Sequence, residues 1–120
     1  MIIKYPRQRH FTLDFGAGTV SHRVILPGRD GCRVKVTKFN PKAGFCPGEN
    51  VRHNTDEVVY VLDGRIKFIS RDQVEILDTG AMYYTPAGVP TTMTAIEDSR
   101  LLCVFFPLRR EEYHSIASCL

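Results

Sequence analysis

The sequence predicts an all-β protein, a small antiparallel barrel or sandwich, and three observations carry that expectation. Apolar and β-branched residues gather in about nine short runs. Glycine and proline punctuate the intervals, at Gly16 to Gly18, Pro27 to Gly31, Asn40 to Asn50, Asp63-Gly64, Asp78 to Gly80 and Pro86 to Pro90. No amphipathic helical segments separate the runs, so the crossovers that a parallel α/β sheet requires are missing. The 120 residues read as one domain, 1–120, long enough to bury a core without disulfides.

Taken in order, His10 to Phe15 alternates apolar with outward-type residues, and Ser21 to Leu26 alternates again. From Arg33 to Phe39, Val34, Val36 and Phe39 are set against Arg33, Lys35 and Lys38, which reads as a half-buried strand with its cations outward. The loop from Asn40 to Asn50 delivers the chain to His53. Val58 to Leu62 shows no polar alternation and reads as a strand buried on both faces, with Asp63-Gly64 as a hairpin turn into Arg65 to Ile69. Arg71-Asp72 turns the chain into Val74 to Leu77, and Met82 to Thr85 follows. P-A-G-V-P is incompatible with helix or central strand. Thr91 to Ile96 and the wholly apolar run Leu101 to Phe106 complete the strands; only Leu108 to Ser118 is expected to form a short C-terminal helix or tail. Two strands without a polar face imply that the outer face of their sheet is also covered, most simply by a second copy of the chain, so a homodimer is expected.

The charge balance excludes some partners. A formal charge of +3 comes from scattered basic residues with no run longer than Arg109-Arg110, which is not the concentrated basic face that nucleic acid needs. Attraction to an anionic small molecule remains compatible with it. Cys32, Cys46, Cys103 and Cys119 form no C-x-x-C and no zinc-like pairing with histidine. The N-terminal residues lack the apolar core of a signal peptide, and no apolar run reaches the roughly 20 residues of a membrane span. A cytoplasmic protein with reduced thiols and no membrane partner is expected.

The chemistry points to His53 to Gly64, where a histidine and a carboxylate four residues apart precede a buried strand. Glu57 at the mouth of such a strand is either a surface ion-pair carboxylate or a desolvated group whose raised pKa suits proton transfer or metal ligation. His53 is either exposed at a loop end or turned into the same cavity. Tyr83 and Tyr84 are adjacent, so on a strand only one of them enters the interior.

The units Gly48 to Gly64 and Gly80 to Thr92 resemble the two motifs of the cupin superfamily of small β-barrels, or jelly rolls. Against those motifs, His53 and Glu57 stand at two of the four usual metal-ligand positions, and Val51 and Thr91 stand where the other two, both histidines, would be. Within the cupins the chain is most similar to the ectoine synthase family. The likeness rests on S-H-R-V-I-L-P-G-R-D-G at 21–31, E-V-V-Y-V-L-D-G at 57–64, G-A-M-Y at 80–83 and R-L-L-C-V-F-F-P at 100–107. That resemblance implies a lyase that closes a ring by eliminating water from a small polar substrate, an N-acetylated diamino acid in that family, on an iron held by a Glu, a Tyr and a His, at the positions of Glu57, Tyr83 and Thr91. It also implies Arg23, Cys103, Phe105 and the pair Glu112 and His114 near the substrate, while the hydroxyl of Thr91 suits a water or a substrate oxygen.

A neutral threonine hydroxyl does not replace an imidazole as a ligand. One divalent metal, iron or else zinc or manganese, on His53, Glu57 and Tyr83 therefore stands beside a metal-free site in which Glu57 is the base and Tyr83 the acid. Arg23 is the cation to hold a carboxylate-bearing substrate inside a barrel. The readings carried forward are a dehydrating or cyclising lyase, a non-catalytic small-molecule-binding cupin that has lost its metal, and a metal-dependent oxygenase.

Overall fold

A computed structural model describes residues 1–8 and 10–106. Its strands pair antiparallel into two sheets. The larger runs β1 (Phe11–Asp14), β2 (Val20–Ile25), β3 (Lys35–Asn40), β9 (Arg100–Phe106), β4 (Asp56–Asp63) and β7 (Met82–Thr85), and the smaller runs β6 (Gln73–Asp78), β5 (Arg65–Ser70) and β8 (Thr92–Ala95). Phe39, Val59, Val61 and Leu101 from the first sheet meet Ile66 and Met93 from the second in a shared core. Period-two alternation produces this arrangement: β9 buries Leu101, Cys103 and Phe105 and leaves Leu102, Val104 and Phe106 half-buried on the opposite face. The predicted jelly-roll class and nearly every strand position therefore hold. Among the described residues no helix is long and apolar enough to cross a membrane.

Four local expectations change. Asp63-Gly64 is not a hairpin turn, because β4 pairs with β9 and β7 whereas β5 pairs with β6 and β8. It is the corner at which the chain leaves one sheet for the other. Only glycine serves there: φ is 102°, and an added Cβ would meet Ser99 Oγ and stand 2.7 Å from Asp98 O and Ser99 Cα. Secondly, β4 is fully buried on one face only, at Glu57, Val59 and Val61; Tyr60 on the other face is 36% exposed. In the two-sheet stack that second face points away from the core.

Thirdly, Lys35 faces inward with Thr37 and Phe39, at 3% exposure, while Val34 and Val36 are only half-buried. Finally, Pro27–Asp30 is one turn of helix, α1, entered by proline and closed by Gly31 in the left-handed region. Asp30 anchors it, accepting hydrogen bonds from the Leu26 N–H and His10 and an ion pair from Lys4. Burial opposes its ionisation, but those contacts prevail and hold its pKa at about 2. The expected C-terminal helix, with Glu112, His114 and Cys119, lies outside the described residues.

Candidate active site

Strand register sorts the inward side chains of the large sheet into three transverse rows. The first is Leu13, Ser21, Phe39, Leu101 and Val61. The second is Phe11, Arg23, Thr37, Cys103, Val59 and Tyr83. The third is Lys35, Phe105, Glu57 and Thr85. Successive rows lie two residues apart along a strand, or about 7 Å. Polarity thus rises in steps from an aliphatic and aromatic row, through one containing an arginine and a phenol, to one containing a carboxylate and an ammonium.

Between the sheets lies a cavity of about 470 Å³ onto which Arg23, Glu57, Tyr83, Cys103, His53, Thr91 and Val51 all open. Its other walls are apolar, from Leu13, Phe15, Phe39, Phe45, Met93 and Leu101. A volume of this order accommodates a small organic ligand.

The electrostatics single out one pair. Glu57 is 6% exposed, and burial raises its carboxyl pKa to about 7 even though the nearby Lys35 ammonium pulls it down. Tyr83 enters the cavity on the adjacent strand β7, one register step from Glu57, with its ring stacked on Phe68 at 4.2 Å. Burial, then the charge of Glu57, then Cys103 push the Tyr83 hydroxyl well above its ordinary pKa, so it stays a proton donor at neutral pH. Tyr84 is 55% exposed on the outside, as adjacency on a strand requires. The Lys35 ammonium lies 5.0 Å from the centre of the Phe105 ring, a cation–π contact, and His53 meets the same ring edge-on at 5.5 Å.

The structure thus gathers Glu57, Tyr83, His53, Arg23, Thr91 and Cys103 around one space, whereas Phe105 is not among the lining residues and is fully buried against His53 and Lys35. His114 falls outside the described residues. Sequence reasoning missed Lys35 and the aromatic wall. Phe39 is the largest apolar residue of β3 and has the parity of Lys35, and that parity was the signal that Lys35 points inward.

Val51 and Thr91 face each other in an isolated antiparallel bridge. The Val51 N–H donates to Thr91 O at 2.7 Å, and the Thr91 N–H donates to Val51 O at 2.9 Å. The Thr91 hydroxyl also turns toward Val51 O, at 3.4 Å. Among the described residues no three His, Cys, Asp or Glu come together as a metal-binding group. Among the described residues, the further donors on the cavity beside His53 and Glu57 include the Tyr83 phenol, whose deprotonation burial and Glu57 both oppose, and the Cys103 thiol. The described donors do not form the three-ligand set that a resident divalent ion needs.

Fold and cavity together define a class: a small β-barrel that encloses a ligand-sized space with titratable groups on its wall. The chain belongs to the Cupin domain family, whose profile matches residues 35–106. No curated protein sequence matches it. Among solved structures it is similar to ectoine synthase from P. lautus, at a TM-score of 0.78 and 23% identity over 98% of this chain and 87% of that one. It is also similar to KdgF from Halomonas sp., at 0.75 and 17% over 92% and 98% of the two chains. A third is hydroxypropylphosphonic acid epoxidase from S. wedmorenis, at 0.74 and 23% over 88% of this chain and 59% of that one. At these identities the likeness establishes the fold alone.

Proposed function

We propose that the protein is a small-molecule lyase that eliminates water from, or cyclises, a carboxylate-bearing substrate by acid–base catalysis without a resident metal. The observation that carries this reading is the pair on adjacent strands: Glu57, with its pKa raised to about 7, and Tyr83, held protonated, on one cavity. A carboxylate with that pKa accepts and returns protons near neutrality. In an elimination, Glu57 takes the substrate C–H proton as the double bond forms, and the Tyr83 hydroxyl protonates the departing hydroxyl, which leaves as water. In a ring closure the exchange occurs twice: the first N–H proton and a proton from Tyr83 give a cyclic carbinolamine, and the second pair expels its hydroxyl as water as the C=N bond forms. After each exchange the proton on Glu57 restores the phenol. Arg23 holds the substrate carboxylate. The likeness to ectoine synthase supports a dehydration with ring closure.

A second of the three readings carried forward, a non-catalytic binding protein, is favoured by the Val51–Thr91 bridge at two cavity-wall positions. The two are separated by incubating the protein with N-acylated diamino acids and hydroxy acids and following loss of water by mass spectrometry, with bound metals measured on the same sample. The expected result is turnover that survives chelator, rises through a transition near pH 7 and falls about 100-fold or more in Glu57→Gln. Stoichiometric metal with chelator-sensitive turnover would overturn the acid–base reading.

A further inference from the structure

We infer that the substrate of this cavity is an amphipathic carboxylate, with an aryl or branched-alkyl group seated on Phe15, Phe39 and Phe45 and its carboxylate toward Arg23. This rests on the proposed function for the place of the carboxylate and goes beyond it in the rest of the molecule. The three phenylalanines line the cavity, and every pair of their rings is in contact, with centroids 5.7 to 5.9 Å apart. They come from three separate places in the chain. Phe39 is in the aliphatic row of β3, Phe15 follows β1, and Phe45 sits in the loop after β3.

That loop is fastened to the opposite sheet. The Ala95 N–H donates to Phe45 O at 3.0 Å, and the Gly44 N–H donates to Ala95 O at 2.7 Å, so the Phe45 ring is carried on fixed backbone. Phe15 is still 40% exposed, although it touches both partners. A trio that served only as core would bury all three rings. This one forms a wall with one edge left open.

The geometry selects among apolar and cationic occupants. The rings meet at interplanar angles of 57° to 77°, so they turn edges as well as faces toward their neighbours. With Leu13, Met93 and Leu101 beside them they make an apolar end to the cavity, which suits an added ring or alkyl group and offers an ammonium no counter-charge to offset its desolvation. The polar requirement lies one row away: Arg23 is two residues along the strands from the Phe39 row, about 7 Å. Glu57 lies one row further in the same direction. A ligand that spans this ladder has an apolar end, a short link and an acid group, with its reacting atoms between Arg23 and Glu57.

The test is a calorimetric binding series with 4-phenylbutanoate, butanoate and 4-phenylbutylamine on the wild-type protein, on Phe45→Ala and on Phe15→Ala. The rim position of Phe15 keeps its variant folded should Phe45→Ala fail to fold. We expect 4-phenylbutanoate to bind at least about tenfold tighter than butanoate, an advantage lost in either phenylalanine variant while butanoate is unaffected. Equal affinity for the two acids, an advantage that survives both variants, tighter binding of the amine, or no binding by any of the three would each overturn the inference. Glu57→Gln separates the two proposals. It leaves the preference for the phenyl acid in place, whereas the pH-dependent turnover disappears.

Discussion

Glu57 stands in the interior at a free-energy cost, and that cost has a sign that a pH series reveals. Its folded pKa of about 7 lies above the ordinary 4.5. Between those values the folded protein keeps a proton that the unfolded chain has lost. Stability is therefore greatest below about pH 4.5, declines as pH rises and has lost about 3 kcal/mol by the time it passes 7. Glu57→Gln removes the titration. Urea denaturation is expected to find the variant as stable as wild type at pH 4 and more stable by up to about 3 kcal/mol at pH 8. A variant equally destabilised at both pH values would show that Glu57 is structural. The inward place of Glu57 was legible because a valine run follows it, whereas adjacency showed only that one of Tyr83 and Tyr84 enters the interior, and the choice of Tyr83 rested on the resemblance to the ectoine synthase family. Lys35 was not, because a charged residue between valines is outward by default. The parity of Phe39, the cation–π seat on Phe105 and the nearby Glu57 carboxyl go with its burial.

At the scale of elements, the corner at Gly64 and the hairpin at Arg71-Asp72 look alike in sequence and do different work. Ser70 pairs with Gln73, so the second is a true two-residue turn within one sheet. Gly64 carries the chain between sheets under the backbone of Asp98 and Ser99. Gly64→Ala is expected to cost about 3 kcal/mol or more, since a positive φ and a backbone collision add. Gly80→Ala serves as the control: φ is 92° but nothing lies within 4 Å of the added Cβ, so the cost is about 1 to 2 kcal/mol. Thermal denaturation of the two variants side by side checks the difference. D-G predicts a break in a strand, and the local sequence carries no information about which strand the chain will pair with next. The strands themselves were legible because alternation and Gly/Pro punctuation are local; sheet membership is a long-range outcome.

For the whole molecule, the outer face of the large sheet holds the main unmet need for burial. Its transverse rows read Lys38, Leu102, Tyr60, Met82 and then Val36, Val104, Val58, Tyr84, and Tyr60, Met82 and Tyr84 are 36%, 61% and 55% exposed. An apolar patch of this kind marks an interaction surface, and the homodimer expected from the sequence is proposed to form there. Tyr60→Glu with Met82→Glu is expected to yield monomer by sedimentation with an unchanged far-ultraviolet spectrum, while Thr12→Glu, at the distant polar edge of the same face, leaves the dimer intact. A wild-type protein that sediments as monomer would end this proposal. The bridge between Val51 and Thr91 has a consequence of another kind. The main chains of these residues join the walls of the barrel through two hydrogen bonds, to which the side chains add only the Thr91 hydroxyl contact with Val51 O at 3.4 Å. Architecture and reactivity are thereby largely uncoupled at two positions on the cavity: the side chains there set which donors line the space, while the backbone hydrogen bonds that close the barrel belong to any residue but proline.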